Sequence, residues 1–149
     1  MAMTMNGAVD LAANRETVWR MLNDPAVLKA CIPGCQSLEG SADDGFQAVA
    51  KVKIGPVSAT FKGKVNLTDL NPPESYRIVG EGEGGIAGFA KGGAAVRLEE
   101  IPEGTRLTYD VEANIGGKIA QLGARLINGV AKKLADEFFA KFAEAVKAA

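Results

Sequence analysis

The side chains best suited to chemistry in this chain are its two tyrosines and two cysteines, because the sequence contains no histidine. Histidine is the usual general base that activates a serine or cysteine, so its absence removes the commonest nucleophile–base pair. The alternating pattern places Tyr76 and Tyr109 on inward positions, where a phenol donates a hydrogen bond either to a ligand carbonyl or to backbone. The acidic residues alternate outward. The sequence therefore predicts a binding protein rather than an enzyme.

The two cysteines lie four residues apart around Pro33-Gly34. A turn there could bring Cys31 and Cys35 together for thiol–disulfide chemistry, whereas a zinc site would need two carboxylates or a second chain. We expect a structural role for both residues, as small side chains beside the second helix. No metal and no cofactor is expected.

The segment from Gly80 to Gly85 matches the dinucleotide pattern G-x-G-x-x-G. That pattern binds a pyrophosphate only between a strand and the N-terminus of a helix. Here alternating sequence follows instead, and Glu81 and Glu83 would repel phosphates. A glycine-rich hairpin is the better interpretation.

The spacing of apolar residues predicts one strand, two short helices and then six further strands. The first strand ends at Leu11, Asn14 caps a helix over residues 15–22, and Asp24-Pro25 starts a second short helix. From Ser37 to Ile115 the apolar residues alternate with polar ones, in runs separated by glycine, proline and acidic turns.

The C-terminal region changes to helical spacing. Apolar residues recur every three or four positions from Ile119 to Phe142, which predicts one continuous helix of roughly 43 Å. The predicted fold is α+β, a single domain over residues 1–149. A curved seven-stranded antiparallel sheet wraps around the long C-terminal helix, with two short helices after the first strand.

The inward face of the predicted sheet is rich in glycine and alanine near the strand centres. Because protein interiors pack near crystal density, the missing volume means either close backbone approach in a bent sheet or a cavity. A bulge at Gly92-Gly93 would turn Phe89 inward and shrink that space. The candidate pocket residues are Trp19, Phe46, Ala48, Phe61, Gly63, Tyr76, Ile78, Gly80, Gly82, Ala90, Gly92, Tyr109, Val111, Leu122, Leu126 and Val130.

Charge and hydropathy restrict the partners. Residues 1–117 carry 11 Lys/Arg and 15 Asp/Glu, whereas residues 118–149 carry six and three. No concentrated basic face suits nucleic acid, and no run of about 18 apolar residues suits a membrane span. With no signal-like start, a cytoplasmic location is expected, with peripheral membrane contact through the basic side of the last helix. The oligomeric state stays open.

Several short motifs together resemble one family. They include Val18-Trp19, Cys-Ile-Pro-Gly-Cys at residues 31–35, Ile-Gly-Pro-Val at 54–57, Pro-Pro-Glu-Ser-Tyr at 72–76, and Gly-Gly-Lys-Ile-Ala-Gln-Leu-Gly at 116–123. With these motifs the chain resembles the CoxG family of carbon monoxide dehydrogenase proteins, within the START-like (SRPBCC) helix-grip superfamily. The resemblance covers nearly the whole chain.

The resemblance implies an accessory protein that assists a molybdenum hydroxylase such as carbon monoxide dehydrogenase, recruits it to the membrane, and holds a quinone-like lipid in its pocket. An alternative is an enzyme like the polyketide cyclases and aromatases of the superfamily, which would need an inward acid or base. A third interpretation is a structural adaptor with an empty pocket.

Overall fold

The computed structural model describes residues 1–149 and contains seven strands and three α-helices. Two short 3-10 turns lie at Gly85–Ala87 and Lys118–Leu122. The elements in chain order are β1 (Ala2–Leu11), α1 (Arg15–Leu22), α2 (Pro25–Cys31), β2 (Cys35–Ser41), β3 (Gly45–Ile54), β4 (Val57–Asn71), β5 (Ser75–Glu83), β6 (Phe89–Ile101), β7 (Gly104–Gly116) and α3 (Ala124–Ala148).

The strands form one antiparallel sheet in the order β1-β7-β6-β5-β4-β3-β2. This arrangement confirms the predicted fold class. The register shifts between Cys35 and Ser37 and between Thr68 and Asn71. It runs without a break through β5, β6 and β7, so no bulge occurs at Gly92-Gly93 and Phe89 stays on the outer face.

Side-chain caps start the two short helices where the sequence predicts them. The Thr17 N–H donates to Asn14 Oδ1 over 2.9 Å, and the Ala26 N–H donates to Asp24 Oδ1 over 2.9 Å. Each cap satisfies a backbone donor that has no partner within its helix. The two helices are thereby fixed directly after β1, beside the sheet.

The C-terminal helix is shorter than its apolar stripe predicts. Gly123 has a φ of 94°, a left-handed conformation that ends the 3-10 turn before α3 begins at Ala124. The prediction of one continuous helix from Ile119 was therefore wrong. Helix α3 has 25 residues and a length of about 37 Å. No helix of the chain is both long and apolar enough to cross a bilayer.

The core is divided into two apolar clusters at opposite ends of the sheet. The helical cluster lies where α1, α2 and the C-terminal part of α3 meet the sheet, and the loop cluster lies around the two 3-10 turns. The buried residues of the helical cluster are Leu11, Val18, Met21, Leu22, Cys31, Tyr76, Val96, Leu98, Leu107, Phe142 and Val146. Those of the loop cluster are Met3, Ile54, Ala87, Ile115, Ile119 and Ile127.

The accessible surface of the chain shows that the space between the clusters is not filled. It measures 8411 Å² for a mass of 15.5 kDa. A compact monomer of that mass exposes about 7,200 Å². The excess is expected for a protein whose sheet and helix enclose space between them.

Phe142 is the fully buried aromatic of the helical cluster, with an exposure of 0%, and its ring stacks on Phe138 with centroids 5.8 Å apart. We expect Phe142→Ala to lower the free energy of unfolding by about 3 to 5 kcal/mol. The matched control is Phe89→Ala, which deletes the same atoms from the outer face and should cost about 1 kcal/mol or less. Urea denaturation measures both. Equal losses would contradict the placement of the core.

Candidate ligand-binding site

One transverse row of the sheet, between the two clusters, carries only small inward residues. The register places Ala48, Gly63, Gly82 and Ala90 side by side across β3 to β6. A Cβ atom added to Gly63 would meet only Glu81 O, at 3.5 Å, and one added to Gly82 only Lys62 O, at 3.9 Å. No side chain fills the space above these two glycines.

Next to this row lies a cavity of about 260 Å³ between α2, the sheet and α3. An apolar cavity of about 150 Å³ can hold benzene, so this one has room for a larger ring system. Every lining residue is hydrophobic. They are Leu22, Leu28, Ile32, Leu38, Phe46, Ala48, Val65, Leu67, Tyr76, Ile78, Val96, Leu107, Phe138 and Phe139.

Tyr76 supplies the one hydroxyl group in the cavity wall. The residue is 6% exposed, and its hydroxyl makes no hydrogen bond within the protein. Trp19 packs edge-on against its ring, with centroids 5.1 Å apart. Burial raises the pKa of the Tyr76 phenol far above its usual value, because the phenolate would be poorly solvated. At neutral pH the group is therefore a hydrogen-bond donor.

Tyr109, the other inward tyrosine, lies outside the cavity wall. Its ring stacks on Phe139 with centroids 5.1 Å apart and planes 19° apart. Its hydroxyl lies against Gly7 of β1, where a side chain would clash with it. Tyr109 thus supports Phe139 from behind, and Phe139 contributes to the wall.

The cysteines are both free thiols. Burial raises the pKa of Cys31, and the opposing effect of Lys141 is smaller. Cys35 Sγ donates to the Ser37 carbonyl oxygen over 3.3 Å. A raised pKa keeps the Cys31 thiol protonated, which makes it a poor nucleophile.

The family follows from a comparison of sequences. The model of the CoxG family, whose description is that of a carbon monoxide dehydrogenase component, matches residues 7–147. The chain belongs to the CoxG family. No protein with a curated description matches it in sequence.

Solved structures agree with this CoxG assignment and with the fold. A conserved protein from Geobacillus kaustophilus is 36% identical, with a TM-score of 0.90, over 97% of this chain and 95% of that one. Ara h 8.0201 is 14% identical, with a TM-score of 0.67, over the full length of both chains. The di-domain aromatase/cyclase BexL is 13% identical, with a TM-score of 0.69, over 97% of this chain and 50% of that one. The last two show a shared fold.

The structure brings some of the predicted pocket residues of this CoxG chain together at the cavity. Phe46, Ala48, Tyr76 and Ile78 lie in its wall. Trp19 stands directly behind Tyr76. The remaining predicted residues are spread over the inner side of the fold.

Two of the predicted glycines are close backbone contacts rather than space. A Cβ on Gly92 would overlap the Glu112 carbonyl oxygen and stand 2.7 Å from Ala113 Cα. A Cβ on Gly80 would be 3.3 Å from both Lys64 O and Val65 Cγ2. Gly92 therefore permits the tight bend of the sheet, whereas Gly63 and Gly82 leave volume.

Other predicted residues pack at the loop end of the sheet. Those that pack against the loop cluster are Phe61, Ala90, Leu122 and Val130. Leu126 contacts Gly55, in the turn between β3 and β4. Val111 is paired with Ala94, in the row that also contains Ile78. The first turns of α3 thus cover the loop cluster, and Phe138 and Phe139 of its later turns face the cavity.

The sequence interpretation missed one whole side of the cavity. Leu28 and Ile32, at α2, and Leu38, on β2, complete the wall. The apolar residues of residues 25–32 were visible as a short helical pattern, but nothing in that pattern indicated which element they faced. Their contact with the sheet depends on the turn at Gly34, whose φ is 73°.

The contrast between Gly63 and Gly92 gives a direct test of where the empty volume lies. We expect Gly63→Ala to change the free energy of unfolding by less than about 1 kcal/mol, since the new methyl group meets open space. Gly92→Ala should destabilise the protein by about 1 to 3 kcal/mol, because the backbone must move. Thermal and urea unfolding measure both variants. A larger loss at Gly63 would mean that its surroundings are packed.

Proposed function

We propose that this CoxG chain is a non-enzymatic binding protein that holds an apolar, quinone- or lipid-like ligand in the cavity and thereby assists a molybdenum hydroxylase. The observation that carries the proposal is the wall itself, 14 hydrophobic residues with one unpartnered hydroxyl. Family membership supports the accessory role and the dehydrogenase as partner.

Apolar burial supplies most of the affinity in this proposal. Removing about 150 Å² of ligand surface from water contributes about 4 kcal/mol at 25 cal/mol per Å². A hydrogen bond from Tyr76 adds about 1 kcal/mol. The wall therefore selects an apolar ring or chain, and Tyr76 selects among such molecules for one with a carbonyl oxygen.

A cyclase or aromatase activity is the alternative that the shared fold with BexL raises. Such chemistry needs a group that accepts or donates a proton beside the substrate. The wall contains no carboxylate, amine or thiol, and the pKa of its phenol is raised. Tyr76 is suited to donating a hydrogen bond and unsuited to acting as a base at neutral pH. These features favour binding over catalysis.

The single tryptophan provides a direct assay. Because Trp19 packs against Tyr76, a short-chain benzoquinone bound in the cavity should quench its fluorescence in a saturable way. Ala48→Leu, which fills the wall, should weaken binding at least tenfold, an order-of-magnitude expectation for lost cavity volume. The matched control Ala140→Leu adds the same atoms to an exposed position of α3 and should bind like the wild type.

The phenol is tested separately from the volume. Tyr76→Phe should weaken quinone binding by about threefold to tenfold, the value of one hydrogen bond. An alkylbenzene of similar size without carbonyl groups, measured by competition, should bind both proteins equally. Absence of saturable quenching in the wild type, or an Ala48→Leu protein that binds normally, would contradict the proposed function.

A further inference from the structure

The loop between β5 and β6 presents an isoleucine almost completely to solvent. Ile86 is 92% exposed, in the 3-10 turn Gly85–Ala87. Single half-exposed apolar residues are common on protein surfaces. A large aliphatic side chain at this level of exposure, at the tip of a loop, is a feature that needs a physical reason.

The loop holds Ile86 outward through a defined structure. The Gly84 N–H donates to the Gly88 carbonyl oxygen over 2.8 Å, and the Gly88 N–H donates to the Gly85 carbonyl oxygen over 3.2 Å. Ala87, the next residue, is buried in the loop cluster. Because its neighbour is anchored inward and the backbone is hydrogen-bonded, Ile86 has no route into the core.

A second apolar side chain extends the same surface. Phe89 is 47% exposed on the outer face, and its ring lies over Gly116 of β7. It follows Ile86 by three residues. We call Ile86 and Phe89 together the apolar tip.

Positive charge surrounds the apolar tip. Lys91 lies two residues after Phe89 on the same face of β6, and Lys118 begins the second 3-10 turn, which contacts the first. Glu83 is paired with Phe89 in the register, and Lys62 is paired with Glu83 on its other side. None of these lysines takes part in an ion pair.

The basic side of α3 is less suited to attracting anions than the sequence indicates. Lys132 already forms an ion pair with Asp136 over 2.8 Å. Its charge is therefore largely balanced on the helix itself. The lysines beside the apolar tip keep their charge free for a partner.

We propose that the apolar tip and the lysines beside it dock this protein on the surface of an anionic lipid bilayer. Two side chains are far too few for a stable protein interface, which buries about 800 Å² on each partner. They are enough for interfacial binding, in which a small apolar element enters the headgroup region and neighbouring lysines attract anionic lipids. The inference rests on the exposed tip and does not depend on what the cavity binds.

The test is co-sedimentation of the full chain with vesicles. We expect binding to phosphatidylcholine vesicles that contain phosphatidylglycerol, little binding to pure phosphatidylcholine, and loss of binding at high salt. Ile86→Ser should weaken binding about tenfold, as expected for the loss of a buried aliphatic side chain. Lys118→Ala should weaken it about fivefold, the contribution of one basic residue near an anionic surface.

The matched control is Leu70→Ser. Leu70 is 43% exposed and lies at the other end of β4, away from the apolar tip. It should sediment like the wild type. Equal binding of Ile86→Ser and Leu70→Ser, or no binding of the wild type to anionic vesicles, would overturn the proposal. Quinone quenching of Trp19 should be unchanged in Ile86→Ser, so failure here is distinguishable from failure of the proposed function.

Discussion

The row of small residues across the middle of the sheet limits how closely sheet and helix can pack. With only hydrogen or methyl groups at Ala48, Gly63, Gly82 and Ala90, α3 has nothing to pack against at this level. The buried apolar residues therefore gather on either side of the row, in the helical and loop clusters. Stability comes from the two ends of the sheet, and the space between them stays available for a ligand.

This division separates structural from binding residues. Phe142 lies within a cluster and is not part of the cavity wall, whereas Phe138, which stacks on it, is. Ligand contacts can thus be altered at Phe138 or Tyr76 with part of the core still intact behind them. The charged groups follow the same logic, since the lysines and acids of the strands point outward and leave the cavity wall with a single phenol as its polar anchor.

Alternation with a period of two was sufficient to predict the inward and outward faces of the sheet, because the side-chain direction in a strand is fixed by the backbone. Capping residues fixed α1 in the same local way. The break at Gly123 was harder, since an apolar stripe continues across it and only the backbone conformation reveals the interruption. The part of the wall at α2 could not be predicted, because it depends on how a short helix docks on distant strands. Gly63 and Gly92 look alike in sequence and differ only in how closely the next strand approaches.

The central claim is that the gap between the clusters is a ligand site rather than a packing defect. Native mass spectrometry of the full chain, purified without detergent, tests it most directly. The account predicts a population with one added apolar molecule of lipid-like mass, released by mild activation and absent from Ala48→Leu protein prepared in parallel. A single species at the mass of the bare chain, or the same adduct on both proteins, would contradict it.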